Sequence, residues 1–209
     1  MAHALAAPGF FRNAQAHALR LAFLTMLGTA LSACGVNNVP RLEEQVNASW
    51  AEVQNQYQRR ADLVPNLVET VRGFARQEQE TLTRVIEARA RATQMTLPAN
   101  ITENPEAFRQ FQENQAQLGS ALARLLAVSE AYPELRSNTN FLALQSQLEG
   151  TENRIAVARR DYIQTVQAYN TELRTIPGRW IAGILYPDAK PKQNFESTAE
   201  AQQAPRVQF

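Results

Sequence analysis

The sequence predicts an all-α protein whose long amphipathic helices form an antiparallel bundle. Apolar residues recur in alternating steps of three and four over long stretches, which places them on one face of a helix. No stretch shows the apolar and polar alternation between turn residues that is typical of a strand. Prolines and polar residues interrupt the pattern at a few points only. These interruptions indicate three main helices and a short fourth helix near the C-terminus.

The first predicted helix extends from about Arg41 to Thr93, because one apolar stripe continues through it. Its members include Val46, Trp50, Val53, Tyr57, Val64, Leu67, Val71, Leu82 and Val85. A single helix of this length would measure about 80 Å. Pro65 lies inside the stripe and lacks the amide donor of the other residues. Because the stripe stays in phase across Pro65, we expect a kinked but continuous helix.

Two further stripes follow, each bounded by residues that begin or end helices. The connection 97–105 contains two prolines and precedes a stripe over residues 108–132. Asn138 offers a polar N-terminal cap to a third stripe over residues 141–173. The Pro177-Gly178 pair ends this third helix. Three such helices joined by short loops bury their stripes most simply as an up-down-up bundle.

The chain after Pro177 divides into an apolar segment and a polar tail. Residues 180–186 are nearly all apolar, and the pattern leaves open a membrane-surface element or a cap over the end of the bundle. Membrane-surface helices usually carry several basic residues on a polar face, and only Arg179 is adjacent, so a cap is favoured. We expect a bundle domain over residues 34–187. Residues 188–209 are polar and predict a disordered tail.

The N-terminal 33 residues have the features of a secretory signal peptide. Arg12 and Arg20 precede an apolar run over residues 21–31, which is about half the length that a membrane-spanning helix needs. The run ends in Leu31-Ser32-Ala33-Cys34, which resembles the cleavage site of bacterial lipoproteins. In that case Cys34, the only cysteine, becomes the mature N-terminus and carries the lipid, with palmitate as an expected acyl chain.

Two details of this segment leave alternatives open. The stretch before Arg20 is long for a signal, so translation could start downstream of Met1, and an uncleaved membrane anchor is the other interpretation of the apolar run. Gly35 follows the cysteine, which resembles signals for transfer to the outer membrane. We therefore expect a protein of the bacterial cell envelope, anchored outside the cytoplasm in the inner or outer membrane.

Composition excludes several classes of function for the mature chain. Without Arg12 and Arg20, 19 basic residues face 20 acidic ones, so the net charge is −1. Nucleic-acid binding needs a basic face and is not expected. Both histidines precede Cys34, which removes the commonest general base and the usual zinc ligands. We expect no cofactor, no metal and no enzymatic activity, with carboxylate-pair chemistry as the remaining enzymatic alternative.

Several separated motifs resemble the LemA family of bacterial envelope proteins. They are Arg59-Arg60-Ala61-Asp62-Leu63-Val64-Pro65-Asn66-Leu67-Val68-Glu69-Thr70-Val71, Ala88-Arg89, Ser129-Glu130-Ala131-Tyr132-Pro133-Glu134-Leu135, Thr151-Glu152-Asn153-Arg154-Ile155, Ala158-Arg159-Arg160-Asp161-Tyr162 and Phe195-Glu196. Two positions depart from the family pattern: Ile163 replaces a common asparagine, and Gln77 replaces a frequent histidine. The resemblance implies a long-helix bundle attached to the envelope, and it implies no mechanism.

The motif residues that are candidates for a structural or interaction role form a defined set. They are Arg60, Asp62, Pro65, Asn66, Glu69, Arg89, Glu130, Tyr132, Pro133, Glu152, Arg154, Arg159 and Tyr162. One interpretation places the polar ones in a site inside the bundle, and the other makes them cross-helix ion pairs that fix register. The second interpretation predicts that Arg154 is paired, so that Arg154→Ala lowers stability strongly.

These observations favour a non-enzymatic lipoprotein that acts as a helical scaffold or adaptor for another envelope protein. The alternative is a bundle that binds a small molecule or a lipid between its helices. A large apolar cavity would support the alternative. A continuous exposed stripe of apolar or charged residues would support the scaffold.

Overall fold

Residues 35–196 form six α-helices and a 3₁₀ turn. The computed structural model describes residues 25–26 and 35–196, so the predicted signal peptide, Cys34 and residues 197–209 lie almost wholly outside the described part. The elements are α1 (Asn38–Phe74), α2 (Gln79–Gln94), the 3₁₀ turn (Ile101–Glu103), α3 (Pro105–Ser129), α4 (Pro133–Arg136), α5 (Thr139–Glu172) and α6 (Gly178–Leu185). The described residues contain no strand, so the all-α prediction is confirmed.

Helices α1 and α5 run antiparallel along most of their length and form the largest helix–helix contact of the described chain. Near the beginning of α1, the hydroxyl of Ser49 lies 2.7 Å from that of Thr165. Further along, Arg60 lies 3.1 Å from Glu152. As the α1 number rises, the number of its α5 partner falls, which fixes the antiparallel register. The predicted cap at Asn138 is also present, because its side chain accepts a hydrogen bond from the amide of Phe141 at 3.0 Å.

The chain reverses at residues 75–78, where the sequence pattern predicts an uninterrupted helix. Helix α1 ends at Phe74, and α2 returns along it so that Arg89 reaches Ala61. The three-helix arrangement predicted from the stripe is therefore replaced by four long helices. The stripe marks this turn only by one extra four-residue step, from Glu78 to Leu82, which a continuous helix also accommodates. Folding back is favoured because Leu82 and Val85 bury themselves against the second half of α1.

Tyr132, at the connection between α3 and α4, holds this reversal in place. Its hydroxyl donates a hydrogen bond to Glu78 and accepts one from Gln77, both at 2.9 Å. Pro133 occupies the first turn of the short helix α4, where the missing amide donor costs nothing. Leu135 of α4 is fully buried beneath the reversal. The Tyr132-Pro133 motif thus closes one end of the bundle.

The core consists of two clusters that share α1, α3 and α5 but differ in their fourth wall. Around the second half of α1 the fourth wall is α2. Around the first half it is the 3₁₀ turn and the C-terminal strap, which we define as residues 188–196. The sequence places this strap in a disordered tail. In the structure it instead packs on the bundle, because Phe195 and Lys192 make specific contacts that its polar composition does not reveal.

The buried ammonium of Lys192 attaches the strap to two other segments through ion pairs with two partly exposed carboxylates. Its ammonium lies 2.7 Å from Glu43 of α1 and 2.7 Å from Glu103 of the 3₁₀ turn. Burial alone would lower the pKa of Lys192, but the hydrogen bonds to Glu103 and Glu43 hold it above its usual value. The side chain of Asn170 pairs with both the amide and the carbonyl of Lys192 at 2.9 Å. The strap is therefore fixed at both backbone and side chain.

Helix α6 folds back against the end of α5 and the beginning of α1. A Cβ at Gly178 would overlap the carbonyl oxygen of Glu172, so only glycine permits this close approach. Ala182 is buried, but Trp180 and Ile184 are largely exposed. The segment therefore does not bury its large side chains as the favoured cap interpretation requires. Among the described residues, no helix combines the length and apolarity needed to cross a membrane.

Helix α1 continues through Pro65 without interruption, as the phase of the stripe predicts. Because Pro65 has no amide hydrogen, the carbonyl of Ala61 lacks its intrahelical donor. The guanidinium Nε of Arg89 donates to this carbonyl oxygen at 2.9 Å. Arg89 of α2 thus supplies the donor that Pro65 removes, and it ties the two helices together at that level.

We predict that Pro65 and Arg89 are energetically coupled. Arg89→Ala should destabilise the protein, and the loss should be smaller by about 1 kcal/mol when Pro65→Ala restores the missing amide donor. A double-mutant cycle of chemical unfolding measures this coupling. Arg91→Ala, an exposed change on the same helix, is the control and should show no coupling. Equal effects of Arg89→Ala in both backgrounds would contradict the compensation.

Candidate functional site

Arg60 joins three helices at the level where the two core clusters meet. Its side chain is 5% exposed, and one terminal nitrogen lies 3.1 Å from Glu152 of α5. The other terminal nitrogen donates to the backbone and side-chain oxygens of Gln115 in α3, at 2.9 and 2.7 Å. A planar guanidinium with several fixed donors suits such a junction better than a lysine would. The register of α1, α3 and α5 is fixed at this point.

The surroundings of Arg60 are aromatic on one side and polar on the other. Its guanidinium carbon lies 5.0 Å from the centre of the Tyr57 ring, within cation–π distance. Burial raises the pKa of Tyr57, against the opposing charges of Arg159 and Arg60. The Nε atom of Arg60 is buried and has no hydrogen-bond partner within the described residues. The junction therefore provides acceptors for both terminal nitrogens of the arginine but none for its Nε atom.

A groove of about 460 Å³ opens beside this junction. It is lined by Tyr57, Arg60, Arg109, Gln112, Glu113, Gln115, Ala116, Gly119, Glu152, Ile155, Arg159, Phe195 and Glu196. Three arginines and three glutamates line its walls, so their formal charges cancel. It does not resemble the apolar cavity that a lipid between the helices would require.

An aromatic cluster closes the core around the first half of α1, on the side of the strap. Phe195 lies 5.5 Å from Tyr162 and 5.2 Å from Phe108 between ring centres. The guanidinium carbon of Arg159 lies 4.4 Å from the centre of the Phe195 ring and covers its outer face. Burial raises the pKa of Tyr162, whose neutral hydroxyl donates to the carbonyl of Gln193 at 2.8 Å. Arg159 and Tyr162 therefore both contact the strap.

Three further motif residues lie with Gln58 on the outer surface of α1. We define the outer stripe as Gln58, Asp62, Asn66 and Glu69, which follow one another by steps of four, four and three. All four side chains are exposed. Gln58 donates to Asp62 at 2.7 Å, and Arg72 pairs with Glu69 at 2.7 Å. Such exposed pairs add little stability, so the stripe is not needed to hold the fold.

The polar motif residues therefore do not converge on one interior site. Glu130 and Arg154 are exposed, and neither side chain makes a hydrogen bond or ion pair within the described part of the chain. The expectation that Arg154 forms a buried cross-helix pair differs from the structure. The paired arginine is Arg60 instead, because it faces the interhelical seam while Arg154 faces outward. The described residues also hold no cluster of acidic, histidine or cysteine side chains suited to a metal ion.

The sequence patterns do not show the contacts that four residues make in the structure: Gln115, Lys192, Phe195 and Trp50. Gln115 falls inside the predicted stripe over residues 108–132, and its polarity at a core position is explained by its role as partner of Arg60. Lys192 and Phe195 lie in a polar segment whose composition gives no packing signal, although Phe195 belongs to a motif of the resemblance. Trp50 is in contact with Phe108, Phe111, Tyr162 and Phe195. Its central position depends on the tertiary fold.

We predict that Arg60 and Arg154 differ sharply in their effect on stability. Arg60→Ala should lower the free energy of unfolding by about 2–3 kcal/mol, because Gln115 loses a charged donor and Glu152 loses its partner. Arg154→Ala is the matched control and should change it by no more than about 0.5 kcal/mol. Thermal and urea unfolding of both variants provide the test. A strong effect of Arg154→Ala would contradict the exposed, unpaired position of that side chain.

Part of the chain is similar to known proteins. The chain matches two curated relatives, Magnetosome protein MamQ 1 and Magnetosome protein MamQ 2 of Paramagnetospirillum magneticum (strain ATCC 700264 / AMB-1). Each match is 38% identical over 66 residues, which covers 32% of this chain and 24% of the relative. The chain therefore spans about a quarter of the length of these relatives.

A family model provides the broader match. The model of the LemA family aligns with residues 49–209, which include the Arg60 junction, the outer stripe, the reversal and the strap. The match covers most of the chain and nearly all of the described bundle. The matched range contains all of the motifs that carry the resemblance to this family. The chain belongs to the LemA family.

Proposed function

We propose that this LemA-family protein is a lipid-anchored, non-enzymatic scaffold of the bacterial envelope. The anchor is Cys34, since the preceding residues have the order of a lipoprotein signal. The scaffold is the helical bundle, which offers an exposed polar surface to another envelope protein. Family membership supports an envelope role, and the outer stripe of α1 carries the proposal of a scaffold.

The outer stripe supports an interaction role because its side chains are unnecessary for the bundle. In the same motif, Arg60 and Pro65 have structural explanations in the junction and in the compensation by Arg89. Asp62, Asn66 and Glu69 have none, since they are exposed and contact at most their neighbours on α1. This stretch of α1 holds the bundle together through its buried motif residues, and it leaves its exposed motif residues available to contact another protein.

The groove beside Arg60 gives less support to a small-molecule function. Two of its three arginines are already paired: Arg60 with Glu152 and Gln115, and Arg109 with Glu106 at 2.6 Å. The third, Arg159, lies over the ring of Phe195. An anionic ligand would have to displace these carboxylates, and an apolar ligand would meet charged walls. The mixed lining therefore favours the scaffold over a binding site between the helices.

Lipidation at Cys34 is the first expectation of this proposal. The intact mass of the protein purified from membranes should equal that of residues 34–209 plus a lipid modification at the new N-terminus. Cys34→Ala should yield unprocessed chain, because the modified sulfur is absent. Two or more acyl chains give stable anchoring where one is marginal, so the wild type should remain membrane-bound at high salt. A mature N-terminus other than modified Cys34 would contradict lipidation.

The scaffold role predicts that a partner contacts the outer stripe. A photo-crosslinking amino acid in place of Asn66 should yield a discrete protein adduct in intact cells. The same amino acid at Arg124, an exposed position on α3, is the control and should yield none. Combining the probe with Asp62→Lys and Glu69→Lys should abolish the adduct without lowering thermal stability. Equal adducts at both positions, or none at Asn66, would contradict a partner at the stripe.

A further inference from the structure

The most exposed apolar side chains of residues 35–196 lie together around α6. Ile176, Trp180, Ile184 and Leu185 are 64, 62, 79 and 53% exposed, and each exceeds every other large apolar residue of that range. Trp180 and Ile184 are separated by one helical turn and share one face. Elsewhere, residues such as Ile86 and Leu142 are exposed singly along the helices. We refer to the four clustered side chains as the α6 face.

The chain enters the bundle beside this same face. A Cβ on Gly35 would lie 3.4 Å from the side chain of Ile181 and 3.8 Å from that of Pro177. The hydroxyl of Tyr186 donates to the carbonyl of Val36 at 3.2 Å. Residues 35 and 36 are therefore held against both ends of α6. The residue before Gly35 is Cys34, the attachment point in the proposed function.

We propose that the α6 face rests in the surface of a lipid bilayer when the protein is anchored through residue 34. This inference rests on the proposed function only in taking residue 34 as the point where the chain meets the membrane. An anchor at residue 34 keeps the α6 face close to the bilayer at all times. The effective concentration of lipid at the face is therefore high. An apolar patch of this kind, unpaired in the bundle, is then covered by acyl chains.

The residues around the α6 face suit the boundary between headgroups and acyl chains. Tryptophan is enriched at this boundary, where its ring is apolar and its N–H can meet water. Arg174 and Arg179 flank the face and are exposed, and Arg41 lies on the first turn of α1. Nearby Glu172 accepts a hydrogen bond from Asn38 at 3.3 Å. Exposed arginines beside an apolar face favour contact with anionic headgroups.

The test uses the fluorescence of Trp180 in the anchored protein. The full chain is purified from membranes and reconstituted into vesicles of phosphatidylethanolamine and phosphatidylglycerol in which part of the lipid has brominated acyl chains. Bromine quenches tryptophan only on close approach. Because Trp50 is buried in the core, subtracting the signal of a Trp180→Phe variant isolates Trp180. We expect Trp180 to lose about half or more of its emission, since surface helices lie ~5–10 Å into the boundary.

Two variants sharpen the test. Ile184→Asp places a charge in the centre of the α6 face and should largely remove the quenching of Trp180. Ile86→Asp makes the same change at an exposed apolar position of α2 and should leave the quenching intact. Circular dichroism of both variants checks that the helical content is unchanged. Quenching that is equal in the two variants would overturn the inference.

Vesicle flotation and the intact mass separate this inference from the proposed function. If the chain floats with the vesicles and carries the lipid on Cys34, but Trp180 is not quenched, anchoring holds and the α6 face does not touch lipid. A change of the Trp180 spectrum without quenching points to a second protein copy on the face and also overturns the inference. If residues 1–33 remain uncleaved and Trp180 is quenched, lipidation fails while the membrane contact of the face stands.

Discussion

The buried guanidinium of Arg60 is the interaction on which the rest of the architecture depends. It is the only charged side chain of α1 among the buried residues described, and its acceptors come from α3 and α5. A buried charge is tolerated only where its partners are correctly placed, so any slip in helix register would leave it unpaired. The junction also marks the level at which the fourth wall of the bundle changes. On one side α2 completes the core, and on the other the 3₁₀ turn and the strap do.

Several motif residues stabilise this architecture through contacts between helices or between a helix and a loop. Pro65 removes a donor from α1, and Arg89 replaces it from α2. Tyr132 closes the reversal, and Tyr162 receives the strap. Each of these residues contacts a segment that is distant in sequence. The separated motifs therefore depend on one another in the folded bundle. Once they are accounted for, the exposed motif positions of the outer stripe are those that the fold leaves without an explanation.

The sequence predicts the helices better than their arrangement. Stripes and polar caps identify α3 and α5, including the cap at Asn138, because these signals are local. The reversal at residues 75–78 escapes detection, since the stripe shows only one extra four-residue step there, from Glu78 to Leu82, and a continuous helix fits the pattern as well. The strap escapes for a different reason: composition averages over a segment, whereas its packing depends on two residues, Lys192 and Phe195. At the candidate site, a motif indicates that Arg60 matters, but only tertiary contacts distinguish its buried position from the exposed one of Arg154.

The positions of the proposed anchor and of the outer stripe along α1 constrain how the protein would work. Asn38 begins α1 near the proposed anchor, and the motif residues of the outer stripe, from Asp62 to Glu69, lie 24–31 residues further along the same helix. At ~1.5 Å per residue this separates the two by about 36–47 Å. The helix is rigid over this distance because both core clusters and the Arg60 junction hold it. A bilayer contact at one end thus does not obstruct the stripe at the other. A long helix fixed at its base by a tether and an apolar face can present its exposed motif residues at a defined distance from the membrane, which is a geometric requirement of a scaffold and not of an enzyme.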